Sequence, residues 1–300
     1  MKTKNFLAIL ICSLFCLTSC KSQNEGIVAK GAELTLVAET YSFTEGPATD
    51  VKGNVFFTDQ PNDRILKWDA KNNSVSVYLE PAGRANGLYF DHDGNLLACA
   101  DEKNELWRID SEKNITVLIA DFEGKKLNGP NDLWVDPKGG IYFTDPYYQR
   151  PYWERTEGEI KEHRVYYLTP DMDEVRIVAT NFVQPNGIIG SADGKTLYVS
   201  DNGDKKTYVF TIGADASLNA RKLFVPMGSD GMTIDNMGNV YLTGDGVTVF
   251  NNKGEQIEHI AIDEKWTANV TFGGPDQATL FITAMDAAYT LEMAVHGVRY

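Results

Sequence analysis

Short runs of β-branched and aromatic residues alternate with turn residues along most of the chain, without the apolar spacing of an amphipathic helix. Six segments align with one another. Each opens on a side-chain oxygen, usually followed by Gly, then a turn and an apolar run; the openings are Glu45, Asn86, Asn131, Asn186, Asp230 and Asn269, 39 to 55 residues apart. Repeats of this length made of short strands are typical of propeller blades. The sequence therefore predicts an all-β, six-bladed β-propeller.

The two ends of the repeat predict how the ring closes. The sixth unit has strands near 268–272, 279–283 and 289–293, and it lacks a fourth. The run 33–38 precedes the first unit and has no local partner. We expect this N-terminal strand to complete the last blade, because closure hides strand edges that would otherwise pair with other chains. The propeller then spans residues 32–300.

The first residues have the pattern of an export signal. A basic start and an apolar run from Phe6 to Leu17 precede Cys20. A Cys directly after small residues is similar to the lipobox of bacterial lipoproteins. Residues 1–19 are therefore predicted to be a lipoprotein signal peptide, and 20–31 a polar tether starting at the lipid-bearing Cys20. An ordinary secretory peptide is the alternative. The expected location is the bacterial cell envelope, facing the periplasm or at the cell surface.

Charge and cysteine content limit the possible partners. The formal net charge is −14, and removal of the signal peptide takes away two lysines and no acid. Nucleic acids and anionic membranes bind basic surfaces, so neither is an expected partner, and membrane contact is expected only through the lipid on Cys20. Only Cys99 lies beyond the export segment, which excludes a disulfide framework. The oligomeric state stays open.

The six opening residues predict a site on the propeller axis. The first strand of each blade lines the central channel, so equivalent residues converge at one level. Asn-Gly pairs are common in turns, but turn signals follow separately here, as in Asp93-Gly94. Carboxylate and amide oxygens suit Ca²⁺, whereas Zn²⁺ prefers His and Cys. We expect Ca²⁺, or another divalent cation, at the channel mouth. A hydrogen-bonded, water-filled channel is the alternative.

Four short motifs stand out: FTEGP at 43–47, NGPND at 128–132, PNG at 185–187 and SDGM at 229–232. They resemble the metal-site motifs of the senescence marker protein, gluconolactonase and regucalcin-like family. They occur in order and at blade spacing over nearly all of the exported chain. The resemblance implies that Glu45, Asn186 and Asp230 bind the metal, with Asn131 as a further ligand or substrate contact. It also implies that Asp230 is the general base, and direct nucleophilic attack by Asp230 is the alternative.

Further residues are expected to contact the substrate, and they are Asn86, Asn131, Asp132, Tyr147 and Trp153. Tyr147 and Trp153 belong to an insert in the third unit that resembles the bacterial gluconolactonase-like branch. We expect the insert to form a wall or lid over the channel mouth, and a solvated surface loop is the alternative. Animal members hold substrate with an Arg where this chain has Gly129, so the identity of the lactone stays open.

The motifs of other common catalysts are missing. The chain contains no Gly-x-Ser-x-Gly, His-Glu-x-x-His or Gly-x-Gly-x-x-Gly. Cys99, between two alanines on a predicted strand, is interpreted as core packing. The expected function is a Ca²⁺-dependent hydrolase, a lactonase that opens small sugar-type lactones. A non-catalytic propeller that binds carbohydrate or protein at the cell envelope is the alternative, and a phosphotriesterase-like or strictosidine-synthase-like relative is a third reading.

Overall fold

The computed structural model describes residues 26–298, which form six four-stranded antiparallel sheets. The first strand in the chain is β1 (Thr35–Ala38). Blade 1 consists of β2 (Thr44–Thr49), β3 (Val55–Asp59), β4 (Arg64–Asp69) and β5 (Ser74–Leu79), with a short 3₁₀ helix at Gln60–Asn62. Blade 2 consists of β6 (Ala85–Phe90), β7 (Leu96–Ala100), β8 (Glu105–Ile109) and β9 (Ile115–Ile119).

The other blades follow in chain order. Blade 3 consists of β10 (Leu133–Val135), β11 (Ile141–Asp145), β12 (His163–Leu168) and β13 (Val175–Phe182). Blade 4 consists of β14 (Pro185–Gly190), β15 (Thr196–Asp201), β16 (Lys206–Ile212) and β17 (Leu218–Val225). Blade 5 consists of β18 (Met232–Ile234), β19 (Val240–Gly244), β20 (Gly246–Phe250) and β21 (Gln256–Ile260). Blade 6 contains β22 (Thr267–Gly273), β23 (Thr279–Ala284) and β24 (Ala287–Glu292).

Both ends of the chain meet in blade 6. Its sheet has the order β1-β24-β23-β22, and β1 pairs with β24 through Thr35 opposite Thr290 and Leu36 opposite Tyr289. The first strands β2, β6, β10, β14, β18 and β22 contact one another in sequence, and β22 contacts β2. The predicted six-bladed propeller, closed by the N-terminal strand, is thereby confirmed.

The segment before β1 also lies on blade 6. Val28 forms a bridge with Met293, and the amide of Ala29 donates to the carbonyl of Glu292 at 3.0 Å. These residues belong to the stretch predicted to be a tether. The predicted signal peptide and Cys20 lie outside the described residues, so the lipid anchor stays a prediction. Within residues 26–298, no helix is long and apolar enough to cross a membrane.

The core lies between the blades. The inner strands are almost fully buried, whereas the outermost strands β5, β9, β13, β17 and β21 are partly exposed. Large side chains such as Trp134 and Tyr142 fill the space between blades 3 and 4. Cys99 is fully buried in the cluster between blades 2 and 3, and burial raises the pKa of its thiol well above its usual value. Its environment fits core packing.

Aspartates begin several of the turns between the first and second strands. Asp50 Oδ1 accepts hydrogen bonds from the amides of Lys52 and Asn54, both at 2.9 Å. Asp91, Asp136 and Asp235 make the same pair of bonds in blades 2, 3 and 5. The Gly that follows has a positive φ, for example 82° at Gly94, which only Gly adopts readily. These turns hold each first strand against its blade.

Closure by β1 predicts a stability effect. A chain that begins at residue 39 lacks β1 and exposes the edge of β24. We expect its thermal unfolding midpoint to fall by on the order of 10 °C relative to a chain that begins at residue 26, since a protein of this size loses about 2–4 °C per kcal/mol. Circular dichroism melting measures the difference. Equal midpoints would contradict the closing role of β1.

Candidate active site at the mouth of the central channel

Six polar side chains surround the mouth of the channel, one at the start of each blade. We call them the ring residues: Glu45, Asn86, Asn131, Asn186, Asp230 and Asn269. Glu45, Asn86 and Asn186 are the second residues of β2, β6 and β14, and Asn269 is the third residue of β22. Asn131 and Asp230 lie two residues before β10 and β18. Their burial leaves between 2 and 5 % of the surface of Glu45, Asn86, Asn131, Asn186 and Asn269 exposed. The ring predicted from the repeat is therefore present as a set of buried oxygens and amides.

Glycines bring neighbouring first strands close enough to form this ring. A Cβ on Gly46 would lie 2.0 Å from the carbonyl oxygen of Asn86, and a Cβ on Gly87 would lie 2.5 Å from that of Asn131. A Cβ on Gly231 would lie 1.8 Å from the side chain of Asn269. Real Cβ atoms do not approach so closely. The Gly after a ring residue is thus a packing requirement inside a strand rather than part of a turn.

Threonines on the second strands hold the ring from behind. Thr58 Oγ1 donates to the carbonyl of Asn86 at 3.1 Å, and Thr144 Oγ1 donates to that of Asn186 at 2.8 Å. Thr243 Oγ1 makes the equivalent bond to the carbonyl of Ala268 at 2.8 Å. Each hydroxyl ties one blade to the first strand of the next, so the ring residues are fixed by neighbouring blades as well as by their own.

Glu45 is held by two donors. Its Oε2 accepts hydrogen bonds from the Gly46 amide at 2.7 Å and from Asn269 Nδ2 at 3.1 Å. The pKa of Glu45 is raised well above its usual value, first because the carboxyl is buried and then because the carboxylates of Asp230 and Asp132 lie nearby. A positive charge nearby, such as a bound cation, would favour the ionised forms of these acids.

Asp230 is the centre of a second hydrogen-bonded group. Its Oδ1 accepts from Asn186 Nδ2 at 2.7 Å, and its Oδ2 accepts from the indole nitrogen of Trp266 at 2.6 Å. Asn186 Nδ2 also donates to the hydroxyl of Tyr148 at 3.0 Å. Burial raises the pKa of Asp230, and the bonds from Trp266 and Asn186 oppose that shift.

The third acid of the site is Asp132. It follows the ring residue Asn131, and it receives hydrogen bonds from the amides of Leu133, at 2.9 Å, and Ile188. Burial raises the pKa of Asp132 to about 8, and Asp230 adds to the increase. Next to it, the carbonyl of Asn131 accepts from the Gly87 amide at 2.8 Å and from Asn86 Nδ2 at 3.4 Å. Asp132 therefore belongs to the same electrostatic cluster as Glu45 and Asp230.

A cavity of about 570 Å³ adjoins the ring, and one apolar residue from each blade lines it: Ala48, Leu88, Leu133, Ile188, Met232 and Val270. Asp132 and Asn269 also border this cavity, and charged side chains such as Asp50, Lys52 and Asp91 line other parts of it. Apolar side chains cannot solvate a carboxylate, so the charges of the ring depend on polar partners, water or a cation.

The ring residues fit a hard divalent cation. Asn186 Oδ1 is buried and has no hydrogen-bond partner among the described residues, which suits an oxygen reserved for a ligand. Within residues 26–298, no three His, Cys, Asp or Glu side chains are arranged to hold a metal. The set instead combines the carboxylates of Glu45 and Asp230 with amide oxygens, which are ligands that Ca²⁺ accepts and that Zn²⁺ rarely uses.

The insert of blade 3 comprises residues 146–162, between β11 and β12, and it reaches the ring through Tyr148. Tyr147 and Trp153, the two substrate contacts predicted within the insert, make their described hydrogen bonds to residues outside the ring. The Tyr147 hydroxyl bonds to Gln149 and to the carbonyl of Arg155, and Trp153 Nε1 donates to the carbonyl of Asp101 at 3.0 Å. The described contacts of both residues hold the insert in place. Their predicted contact with substrate stays a prediction.

Asp101 anchors the insert. Its buried carboxylate accepts hydrogen bonds from Gln60 Nε2 at 3.0 Å, from the Tyr152 hydroxyl and from Arg150 Nε at 2.7 Å. Asp59, Asp145 and Asp201 occupy the same position at the end of a second strand, but each accepts from backbone amides of the loop before its own blade. Blade 2 thus uses a repeated structural aspartate to fix a loop of blade 3.

Trp266, Tyr148 and Asp101 were not predicted to belong to the site. Trp266 lies in the loop between β21 and β22, where the repeat has no common residue. Tyr148 is adjacent to the predicted Tyr147, and only the fold shows which of the two reaches the ring. The repeated Thr-Asp or Ser-Asp pair at 58–59, 144–145 and 200–201 could have drawn attention to Asp101.

Comparisons with known proteins identify the family of this chain. Residues 43–286 match the family model described as the SMP-30/gluconolactonase/LRE-like region. The chain belongs to this family. A gluconolactonase from Zymomonas mobilis is 28 % identical over 293 residues, which cover 87 % of this chain and 81 % of that protein. A regucalcin from Xenopus laevis is also 28 % identical, over 271 residues that cover 83 % of this chain and 85 % of that protein.

A solved structure extends the similarity to the whole propeller. A gluconolactonase from Xanthomonas campestris superposes with a TM-score of 0.83 at 30 % identity and covers 89 % of this chain and 91 % of its own. The matched segment of the SMP-30/gluconolactonase/LRE-like family includes all six ring residues and the insert. Family membership, which the sequence motifs indicated, is confirmed.

The contact between Tyr148 and Asn186 predicts an effect on cation affinity. Tyr148→Phe removes the hydroxyl that accepts from Asn186 Nδ2 and keeps the ring. We expect Ca²⁺ affinity to fall roughly two- to tenfold, since one neutral hydrogen bond contributes about 0.5–1.5 kcal/mol. Isothermal titration calorimetry measures the Ca²⁺ affinity of each variant. Tyr147→Phe is the matched control, because that hydroxyl bonds only to Gln149 and Arg155. Equal losses in both variants would show that Tyr148 has no specific role.

Proposed function

We propose that this protein is a Ca²⁺-dependent lactonase that opens small, sugar-type lactones at the mouth of its propeller channel. One observation carries the proposal. Asn186 and Asp230, bonded to each other at 2.7 Å, lie in a ring with Glu45 in which an amide oxygen is left without a partner. The relatives named gluconolactonase support lactone hydrolysis as the reaction.

The residues that would hold the cation are Glu45, Asn186 and Asp230, with Asn131, two residues before β10, as a further ligand. When bound, Ca²⁺ supplies a positive charge that polarises a substrate carbonyl and offsets the negative charge developing on its oxygen. The two carboxylates of Glu45 and Asp230 would balance the double positive charge of Ca²⁺, and the remaining ligands are neutral amides. The amide side chains orient the substrate without adding charge.

Asp230 is the proposed general base. Its carboxylate is fixed from both sides by Asn186 and by Trp266, so its direction is set before substrate binds. A carboxylate with a raised pKa accepts a proton more readily than one with the usual pKa. In the proposed step, Asp230 takes the proton from the water that attacks the lactone carbonyl, the ring C–O bond breaks, and the proton passes to the departing alkoxide to give the hydroxy acid.

Other residues would shape the space for the lactone. Asn86 of blade 2, and Asn131 with the adjacent Asp132 of blade 3, would offer amide and carboxyl groups to the substrate hydroxyls. Trp266, which is 38 % exposed, presents an aromatic face beside Asp230. Aromatic faces pack well against the C–H surfaces of sugars. The insert and Trp266 together would limit the access of bulk water.

A pair of variants separates charge from chemistry. Asp230→Asn keeps an oxygen at the same place but removes one negative charge and the base. We expect weaker Ca²⁺ binding and, at saturating Ca²⁺, a loss on the order of 10²-fold or more in kcat on D-glucono-δ-lactone. Asn186→Asp adds a carboxylate next to Asp230 and should bind Ca²⁺ at least as tightly yet turn over more slowly, because a more neutralised ion polarises the carbonyl less.

Initial rates at several Ca²⁺ concentrations, combined with calorimetric titration, measure both effects. Asp93→Asn, in an exposed turn between β6 and β7, is the control for loss of one carboxylate. If Asp230→Asn has the same kcat as the wild-type protein at saturating Ca²⁺, Asp230 is not the general base. An absence of turnover by the wild-type protein on a panel of sugar lactones, at any Ca²⁺ concentration, would instead favour a binding propeller.

A further inference from the structure

A cleft lies beside the channel mouth, between blades 1 and 2 and the insert. Its lining combines two guanidinium groups, two aromatic rings, two prolines and one amide: Arg84, Arg150, Phe43, Tyr152, Pro61, Pro151 and Gln60. Phe43 precedes the ring residue Glu45 by two positions, and the guanidinium carbon of Arg150 lies 5.7 Å from the centre of the Tyr148 ring. The Tyr148 hydroxyl bonds to the ring residue Asn186. The cleft therefore adjoins the candidate active site.

Arg84 brings an unused donor into this cleft. Its guanidinium carbon lies 4.6 Å from the centre of the Tyr152 ring, and its Nη1 donates to the carbonyl of Pro61 at 2.6 Å. Its Nε is buried and has no hydrogen-bond partner among the described residues. The carboxylate of Glu102 lies 3.8 Å from that Nε, which is too far for a hydrogen bond. A buried, unpaired N–H on a charged group is costly, and it suits an acceptor supplied by a ligand.

Arg150 presents a second set of donors. Its Nε is paired with Asp101 at 2.7 Å, and about a quarter of its side chain is exposed. Within residues 26–298, no hydrogen-bond partner is found for its two terminal nitrogens. Asp101 neutralises this guanidinium through Nε alone, and its remaining bonds come from Gln60 and Tyr152. The guanidinium lies over the Tyr148 ring, with its carbon 5.7 Å from the ring centre, and the N–H groups of its two terminal nitrogens remain available to an anion.

The charges of the cleft favour a negative ligand. Asp101 is saturated by three donors and buried, so it offers nothing further to a ligand. Glu102 pairs with Arg84 Nε at 3.8 Å, but it is about half exposed, so water weakens this ion pair. The lining of the cleft therefore holds two guanidiniums with unused N–H groups and no carboxylate.

We propose that this cleft binds an exocyclic carboxylate of the lactone, and that the enzyme prefers lactones of sugar diacids over neutral sugar lactones. This inference rests on the proposed lactonase function. The aromatic rings of Phe43 and Tyr152 would pack against the C–H groups of the carbon chain that joins the carboxylate to the lactone ring. Arg84 and Arg150 would hold the carboxylate through charge-assisted hydrogen bonds.

The test compares two lactones that differ at one carbon. D-glucono-γ-lactone ends in CH₂OH, and the γ-lactone of D-glucaric acid carries a carboxylate there. We expect the wild-type protein to have a kcat/KM at least about tenfold higher on the acidic lactone. Arg84→Gln should lower that value by on the order of 10- to 100-fold and change the neutral lactone by less than about twofold.

Arg176→Gln is the matched control, because this Arg pairs with Glu174 on an outer strand far along the chain from the cleft. Equal kcat/KM on the two lactones, or equal losses on both in Arg84→Gln, would overturn the carboxylate assignment. Melting curves check that Arg84→Gln is folded.

Binding gives a readout that needs no turnover. In EDTA, calorimetric titration with D-glucarate, a dianion, is compared with D-glucitol, the uncharged polyol of equal length. Glucarate binding that is lost in Arg84→Gln and kept in Arg176→Gln supports the carboxylate site in the cleft. If this result is found and neither lactone is hydrolysed, only the proposed lactonase function fails. Glucarate binding that is absent, or unchanged in Arg84→Gln, overturns the inference.

Discussion

The carboxylates of Glu45, Asp132 and Asp230 lie within electrostatic reach of one another at the mouth of the channel, and those of Glu45 and Asp132 are buried. Burial and mutual repulsion both disfavour their ionised forms. A bound cation would offset this repulsion, whereas without one the acids hold their protons more tightly. Asn186, with one amide oxygen unpaired among the described residues, would offer such a cation a neutral ligand. The proposed metal binding, base strength and substrate orientation all depend on this arrangement.

The propeller is what makes such a concentration of charge possible. Each blade contributes one ring residue, and the glycines after Glu45, Asn86 and Asp230 let the first strands approach until backbone and side chains touch. Threonines of the second strands lock these contacts across blade boundaries. Because β1 closes blade 6, Glu45 and Asn269 meet across the junction at 3.1 Å. The ring is thus as rigid as the closed sheet system that carries it.

The fold and the ring could be predicted because they repeat. Six oxygen-bearing residues in register predict six first strands and one level on the axis. The surroundings of the ring do not repeat, and they were predicted only in part. Trp266 comes from a loop without a counterpart in other blades, and Tyr148 differs from Tyr147 only in the direction that the fold gives it. Asp101 occupies the same place in its blade as the structural aspartates Asp59, Asp145 and Asp201. It bonds to Arg150 instead of backbone amides because the insert passes beside it.

The central claim is that a cation among Glu45, Asn186 and Asp230 is required for lactone opening. The most direct measurement is the initial rate on D-glucono-δ-lactone after exhaustive chelation, followed by titration with Ca²⁺, with spontaneous hydrolysis subtracted. The account predicts that chelation abolishes enzymatic turnover and that Ca²⁺ restores it in the wild-type protein, with Glu45→Gln requiring a higher Ca²⁺ concentration. Full turnover in the chelated protein, with no response to added Ca²⁺, would contradict it.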